Sequence, residues 1–329
     1  MQWTRKFYDS GGFEVHIPSH SPYVDYLISG NILCYQENTG IIRYIQQTKD
    51  DIIVCGNDLK SLLAQRIIVP PFVYLETPEV IDGYDRTSGN IETIMRHYVN
   101  MHAINPTDTK RKISNLFLGN YQGLGKQAKW QARFENLLEE LSEIGKYDEI
   151  GFDITFKKTE KYFSFQCMKG RDFTDSIIFS RRYKNIEDYE YTYDDLSTIN
   201  TTYVGGDGEE ESQYIEKVSE TDYTGFLRRE DFISAGGSEI DEIKDRGLAH
   251  LKEQAVVETI ETESNGKLIY KEDWDLGDYV TVKVDVLGET MILEKQITEV
   301  KEVYEHANEY AAPVFGNKKD SIIQKIMKG

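Results

Sequence analysis

Residues 119–126 read Gly-Asn-Tyr-Gln-Gly-Leu-Gly-Lys, a glycine-rich stretch ending in lysine that invites a phosphate-binding reading through Gly119, Gly123, Gly125 and Lys126. A phosphate loop needs a glycine five residues ahead of the Gly-Lys pair, and Asn120 stands there. It also needs Ser or Thr after the lysine to hold magnesium, and Gln127 stands there. A surface loop ahead of a helix fits these residues better. Asp273, Asp275 and Asp278 are spaced like the start of a calcium loop, but the twelfth position is Val284 instead of glutamate, so turn aspartates capping a strand are expected. The histidines fall into three pairs along the chain, His16 and His20, His97 and His102, His250 and His306, none with metal-ligand spacing. His97 and His102 lie five apart, which puts them on different faces of a regular helix. The 57 acidic residues make chance carboxylate pairs common, so glycoside hydrolysis cannot be read from them. No Gly-x-Ser-x-Gly elbow is present, and no Cys/His pairing of the cell-wall peptidase kind stands out. The residues therefore offer no catalytic, cofactor-binding or metal-binding set, and no cofactor is expected.

Charge points the same way. A formal net charge of −19 opposes affinity for nucleic acid, which comes mainly from Lys and Arg on phosphates. It suits a soluble acidic protein, or walls along which DNA slides without sticking. Cys34, Cys55 and Cys167 are odd in number and far apart, which fits neither a disulfide framework nor a zinc site. No apolar run approaches the roughly 18 residues that span a bilayer, and none follows the charged start as an export signal would. At 329 residues, more than one core is expected.

The elements are β-rich at both ends. Phe13, Val15 and Ile17 alternate with Glu14 and His16, and short apolar segments follow at 28–35, 40–45 and 52–55. Asn57 is expected to cap a short helix carrying Leu59, Leu62 and Leu63. Asn90 caps a helix through Ile91, Ile94, Met95, Tyr98 and Val99, stopped by Asn105-Pro106. A stronger helix is predicted from about Gln127 to Ile144, with Trp130, Phe134, Leu137, Leu138, Leu141 and Ile144 on one stripe and Gly145 at its end. Strands are expected near 151–156, 162–168 and 176–179, a tyrosine- and acid-rich run at 189–193, a polar loop at 205–211, and a helix around 239–260. No repeat of 20–50 residues is visible.

The clearest element is the C-terminal hairpin. Val280, Val282, Val284 and Val286 alternate with Thr281, Lys283 and Asp285, so the valines are assigned to the core face and Thr281 to the wet one. Gly288 supplies the turn, and Ile297 to Val303 returns. Beyond Phe315-Gly316, residues 318–328 place Ile322, Ile323, Ile326 and Met327 on one helical side, ready to pack on their own domain or on a neighbour.

The order of these segments resembles a siphovirus tail protein family, the Pepy-type or tail-associated hub group of phages and prophages of Gram-positive bacteria. The resemblance runs through residues 12–18, 56–68, 95–99, Gly170-Arg171-Asp172, 179–185, Arg246-Gly247, 275–280, 297–300 and Phe315-Gly316, nearly the whole chain. It implies a β-rich α+β multidomain fold with two tube-like β-barrel domains and smaller α+β domains between them. The corresponding division is 1–75 for an N-terminal barrel-like domain, 76–185 for an α+β domain, 186–264 for a mixed connecting domain, and 265–329 for a hairpin domain completing a second barrel, with barrels discontinuous in sequence.

The resemblance also implies a function: a non-enzymatic baseplate hub or tail-tip protein, a homotrimer below the tail tube that adapts six-fold to three-fold symmetry. Its partners would be the distal tail protein, tail-tube proteins, the tape measure protein and receptor-binding or fibre proteins. DNA would pass its lumen without specific binding. Its place would be the virion tail tip, after assembly in the host cytoplasm. The alternative is a cell-wall hydrolase or glycan-binding tip component using acidic clefts. The family carries no catalytic residues over to this chain, and the chain stops soon after Phe315-Gly316, with no fused hydrolase.

Overall fold

A computed structural model describes residues 1–74, 83–208, 210–235, 240–264, 267–305 and 308–316, so the expectation for residues 318–328 lies outside the described residues. The strands are β1 (Gln2–Lys6), β2 (Gly12–Pro18), β3 (Ile32–Tyr35), β4 (Asn38–Gln47), β5 (Asp51–Asp58), β6 (Asp85–Asn90), β7 (Leu116–Leu118), β8 (Gln127–Ala132), β9 (Ile150–Lys157), β10 (Tyr162–Lys169), β11 (Ile178–Ser180), β12 (Ile186–Asp194), β13 (Thr201–Gly205), β14 (Ile215–Ser219), β15 (Glu230–Ser234), β16 (Val257–Ser264), β17 (Tyr279–Val286), β18 (Glu289–Glu305) and β19 (Asn308–Phe315). The α-helices are α1 (Ile91–Val99), α2 (Leu137–Asp148) and α3 (Ile240–Glu253). The chain forms two compact units. Unit 1 gathers Met1–Phe7, Gly170–Thr198 and the chain from Ala255, and unit 2 gathers Tyr8–Lys169 and Ile199–Gln254.

Unit 1 is organised by β18. This strand of 17 residues pairs with β17 through Glu289 to Gln296, then with β19 from Ile297 onward and with β1 from Glu299 to Val303. A register shift between Ile297 and Glu299 marks the change of partner, the local bend expected where one strand serves two sheets. Beyond β19 lie β16 and then β12, while β17 carries β11 on its far side. Phe179 packs edge-on to Trp274 and Phe315, with ring centroids 5.8 and 5.1 Å apart, and Trp3 and Phe7 are buried with them.

The hairpin forms as its alternation predicts. Leu287 and Gly288 both take positive φ, 52° and 89°, the tight two-residue turn whose twist matches antiparallel strands. Val280, Val282 and Val284 are buried. Thr281 departs from its assignment, because it is only 7% exposed and its hydroxyl donates to the Thr174 carbonyl at 2.7 Å. The segment leading into β11 covers that second face, which strand alternation alone does not reveal.

Unit 2 holds three small separate sheets and a run of strands that belongs to the largest sheet. That run is β2-β5-β4-β3, all antiparallel, with β3 outermost. The three small sheets are β7-β10-β9, β14-β13-β15 and β6-β8. Its main core joins Ile94, Met95 and Tyr98 of α1 with Leu141 and Ile144 of α2 and Phe152 and Phe165 of the β9–β10 hairpin. Asn90 caps α1 as expected, its side chain accepting from the Thr93 amide at 2.8 Å.

Three local expectations are corrected. The short helical segment 59–65 is a 3-10 turn capped by Asp58, not Asn57. The long helix from Gln127 divides, because Trp130 lies in β8 against β6, Phe134 takes a φ of 61°, and α2 starts at Leu137 under an Asn136 cap. The Trp130 to Ile144 stripe is thus a strand residue and a helix face that share one core. The last helix ends at Glu253, and Val257 onward is strand β16.

The larger correction concerns the barrels. A β-rich α+β multidomain fold is present, but no sheet among the described residues closes on itself. Closure needs the first and last strands to hydrogen-bond around a consistent tilt and stagger. Here β12 and β11 in unit 1, and β3 in unit 2, each pair on one side only. The alternating strands could be read along the chain, whereas closure depends on partners far away in it.

Val282→Asp should lower stability by about 3 kcal/mol or more, since a charge would be buried without a partner. Thr281→Asp should also destabilise, and Lys283→Asp should stay within about 0.5 kcal/mol. Urea denaturation of the three variants checks this, and equal midpoints for Thr281→Asp and Lys283→Asp would contradict the burial of Thr281.

Candidate functional site

The glycine-rich loop at 119–126 already holds carboxyl groups of its own chain. The amides of Gln122 and Leu124 donate to the Glu92 carboxylate at 3.0–3.1 Å, and the Lys126 amide donates to Asp148 at 2.7 Å. Glu92 is fully buried, and the donors that a phosphate would use are spent on side chains of α1 and α2. The lysine of this loop, Lys126, lies over the Tyr147 ring, 3.8 Å from its centre.

The aspartates at 273–278 likewise serve the backbone. Asp278, 2% exposed, accepts from the Arg171 amide at 2.8 Å, from Nη2 at 2.7 Å and Nε at 3.2 Å of the same residue, and from the Asp275 amide at 2.8 Å. Asp273 accepts from the Ile269 amide and Asp275 from the Leu276 amide, each at 2.7 Å. The chains meet closely here. A Cβ on Gly170 would stand 1.7 Å from the Gly277 carbonyl oxygen, so no other residue fits at 170. Gly170-Arg171-Asp172 and Asp275-Leu276-Gly277-Asp278 are one clamp, a pairing that their sequence spacing of over a hundred residues conceals.

The histidines come together where helix geometry changes. After α1 the chain makes a π-helical turn, Asn100–Ile104. That wider turn brings residues five apart onto one side, so His97 and His102 both reach Asp85, Nε2 to Oδ1 at 2.8 Å and Nε2 to Oδ2 at 2.7 Å. Burial opposes ionisation of Asp85, but the hydrogen bonds from His102 and His97 outweigh it and bring its carboxyl down to about 2. Elsewhere His250 meets Asp231 at 2.6 Å, and exposed His16 sits between Glu14 and Asp51, whose hydrogen bonds raise its pKa. Among the described residues, no group of three or more His, Cys, Asp or Glu could hold a metal ion.

A buried ionic cluster joins α2 to α3. Arg246 lies 3.0 Å from Glu140 and 3.1 Å from Glu143, and the Trp130 indole N–H donates to Glu140 at 2.6 Å. Burial pushes the Glu140 carboxyl up to about 7, against the pull of Arg246. Sequence reading marked Arg246-Gly247 without its partners, because α2 and α3 meet only in the fold.

The glycine-rich loop, the aspartate row and the histidine and arginine clusters are thus engaged within the chain, and further polar and apolar groups lie at the surface. In unit 2, β3 and the segment before it expose Tyr23, Tyr26, Ile28 and Ile32. In unit 1, a cleft of about 530 Å³ opens on the sheet, lined among others by Asp188, Glu190, Glu261, Glu263, Lys301 and Tyr310. Lys301 reaches Glu261 at 2.5 Å. Among the described residues, no helix is long and apolar enough to cross a membrane.

Arg246→Met should cost about 3–5 kcal/mol at pH 8, because ionised Glu140 would be left buried without its cation. A folded pKa raised above the unfolded one gives stability that is complete below the ordinary carboxylate pKa and is lost as pH rises through about 7. The cost of the substitution should therefore shrink at pH 5. Thermal melts of both proteins at the two pH values check this, and a cost independent of pH would contradict it.

Residues 1–317 match the family described as Siphovirus ReqiPepy6 Gp37-like protein. The fold is similar to that of prophage tail protein gp18 from Listeria monocytogenes EGD-e, with a TM-score of 0.55 at 12% identity, covering 100% of this chain and 93% of that one. It is similar to the 43 kDa tail protein of prophage MuSo2 from Shewanella oneidensis, with a TM-score of 0.55 at 14% identity over 95% and 92% of the two chains. The tail protein from Neisseria meningitidis MC58 gives a TM-score of 0.53 at 14% identity over 96% and 91%. No curated protein matches the chain. At such low identities the likeness to solved structures is one of fold, and it agrees with the match over nearly the whole sequence: the chain belongs to the Siphovirus ReqiPepy6 Gp37-like family, a structural, non-catalytic family of phage tail proteins.

Proposed function

We propose that this tail protein is a baseplate hub, three copies of which form a closed ring below the tail tube. The observation that carries this reading is the division of polar chemistry. Loop amides and buried carboxylates are engaged inside the chain, and what remains at the surface is open sheet edges, exposed apolar side chains and an acidic face. Such a surface suits assembly. Three chains would offer three chain-level surfaces to a three-fold tip, and the ring would adapt these to a six-fold tube above. Its neighbours would be the distal tail and tail-tube proteins above, the tape measure protein in the lumen, and receptor-binding or fibre proteins below. DNA would pass without being held, because Asp188, Glu190, Glu261 and Glu263 put negative charge on one sheet face, where it repels phosphate. The protein would join the tail tip after assembly in the host cytoplasm.

Reconstruction of tail particles, or light scattering from the concentrated protein, should give a three-copy ring with a central opening. A stable dimer without an opening would end this reading. The wild-type protein should not retard duplex DNA at about 0.15 M salt, whereas the double variant Glu190→Lys, Glu263→Lys should retard it, and increasingly so as salt is lowered. Retention of DNA by the wild type would argue against a passive lumen.

A further inference from the structure

We infer that unit 2 carries a docking surface for an acidic protein segment, centred on Arg66 and the turn that follows Asp108. The inference goes beyond the ring reading and does not depend on it. Two arginines build the surface by crossing each other's chain. Arg66 Nε donates to the Arg111 carbonyl at 2.5 Å and its Nη1 to the Gln65 carbonyl at 2.9 Å, while Arg111 Nη2 donates to the Ile67 carbonyl. Backbone carbonyls thus hold one cation beside another. Burial lowers the Arg66 pKa, and the Arg111 charge lowers it further. Nη2 of Arg66 has no hydrogen-bond partner among the described residues. Lys110 and Lys112 flank Arg111, both exposed, in and after the 3-10 turn Thr109–Arg111. No carboxylate lies within 4.0 Å of Arg66, Lys110 or Lys112 among the described residues.

Such a cluster stands apart in a chain of 57 acidic and 38 basic residues. Arg86, Arg96, Arg171, Arg181, Arg228 and Arg246 each lie within 4.0 Å of a carboxylate. Around Arg66 the neighbouring acids are turned to the backbone instead: Asp108 accepts from the Lys110 amide at 3.0 Å, and Glu135 from the Arg133 amide. Apolar side chains lie alongside. The Phe134 amide donates to the Ile68 carbonyl at 2.7 Å and the Leu137 amide to the Arg66 carbonyl at 2.9 Å, which brings 134–137 against 66–68. Ile67 and Phe134 are each 44% exposed there. An arginine fork, two lysines without carboxylate partners and an apolar pair suit an occupant that carries carboxylates around an apolar anchor. Nucleic acid fits less well. The net charge of −19 repels a long polyanion, whereas a short acidic segment brings few charges, and Ile67 offers no ring on which a base could stack.

Fluorescence anisotropy of the full chain with a labelled peptide of glutamate and leucine tests this. The wild type should bind the peptide, and more weakly as salt rises, because exposed charges carry the contact. The double variant Lys110→Glu, Lys112→Glu should weaken binding by about tenfold or more, whereas Lys110→Arg, Lys112→Arg should keep it. Both variants should melt as the wild type does, since neither ammonium group holds a partner within the chain. Phe134→Asn suits the positive φ at that position and removes the ring. It should weaken the leucine-containing peptide and leave a peptide of glutamate alone unaffected. Absence of binding at low salt overturns the proposal, as does equal binding by the wild type and the Lys→Glu variant. Equal binding of a counterpart peptide with glutamine in place of glutamate overturns it too. Tighter binding of single-stranded DNA, lost in the same variant, overturns it in favour of a nucleic-acid site. None of these results bears on whether three copies close into a ring, so the two readings fail separately.

Discussion

A carboxylate withdrawn from water needs donors around it, and the places where this chain withdraws one are the places where distant segments meet. Asp278 is buried against Arg171 and two amides, which ties the stretch before β17 to the start of the Gly170 segment. Glu92 gathers the loop amides of Gln122 and Leu124 around the first turn of α1. Asp85 holds His97 and His102, and Glu140 holds Trp130 and Arg246. Asp58 accepts from the Gly11 amide and the Ser10 hydroxyl, 2.9 and 2.7 Å away, joining the end of β5 to the entry of β2. In each case an incorrect arrangement would leave a buried carboxyl group without hydrogen-bond partners, which disfavours that arrangement. Trp3, Trp130, Trp274 and the phenylalanines supply apolar burial around them.

This arrangement bears directly on function. Groups that resemble ligand-binding machinery, a glycine-rich loop before a lysine and a row of aspartates, are saturated by neighbours in the same chain. Their glycines and acids solve packing and backbone problems. What the interior does not use appears outside as sheet edges, exposed rings and negative charge.

Much of the local structure is legible along the chain. The valines of β17 are marked by alternation and the turn after them by Gly288, and Asn90 marks the start of α1. The errors share a cause. Trp130 and Phe134 fall into register with the apolar face of α2 although they belong to a strand and a turn, because spacing reports a period and not which neighbour enforces it. His97 and His102 diverge on a regular helix and converge once a π-turn intervenes, and five residues of sequence do not carry that change. Thr281 is wet by alternation and buried by the segment at 174–177.

The sequence by itself determined the β-rich α+β class, the family, the large negative charge and the failure of each candidate motif to meet the spacing its chemistry requires. These follow from composition, short-range period and the order of segments, all of which are properties of the chain read in one direction. Only the tertiary structure decided that the sheets stay open, that Arg171 answers Asp278, that two histidines share Asp85, and that Glu92 fills the glycine-rich loop. Each of these depends on contacts between residues many positions apart, where closing the loop and satisfying a buried charge are settled together, and local pattern holds no record of which distant partner does so.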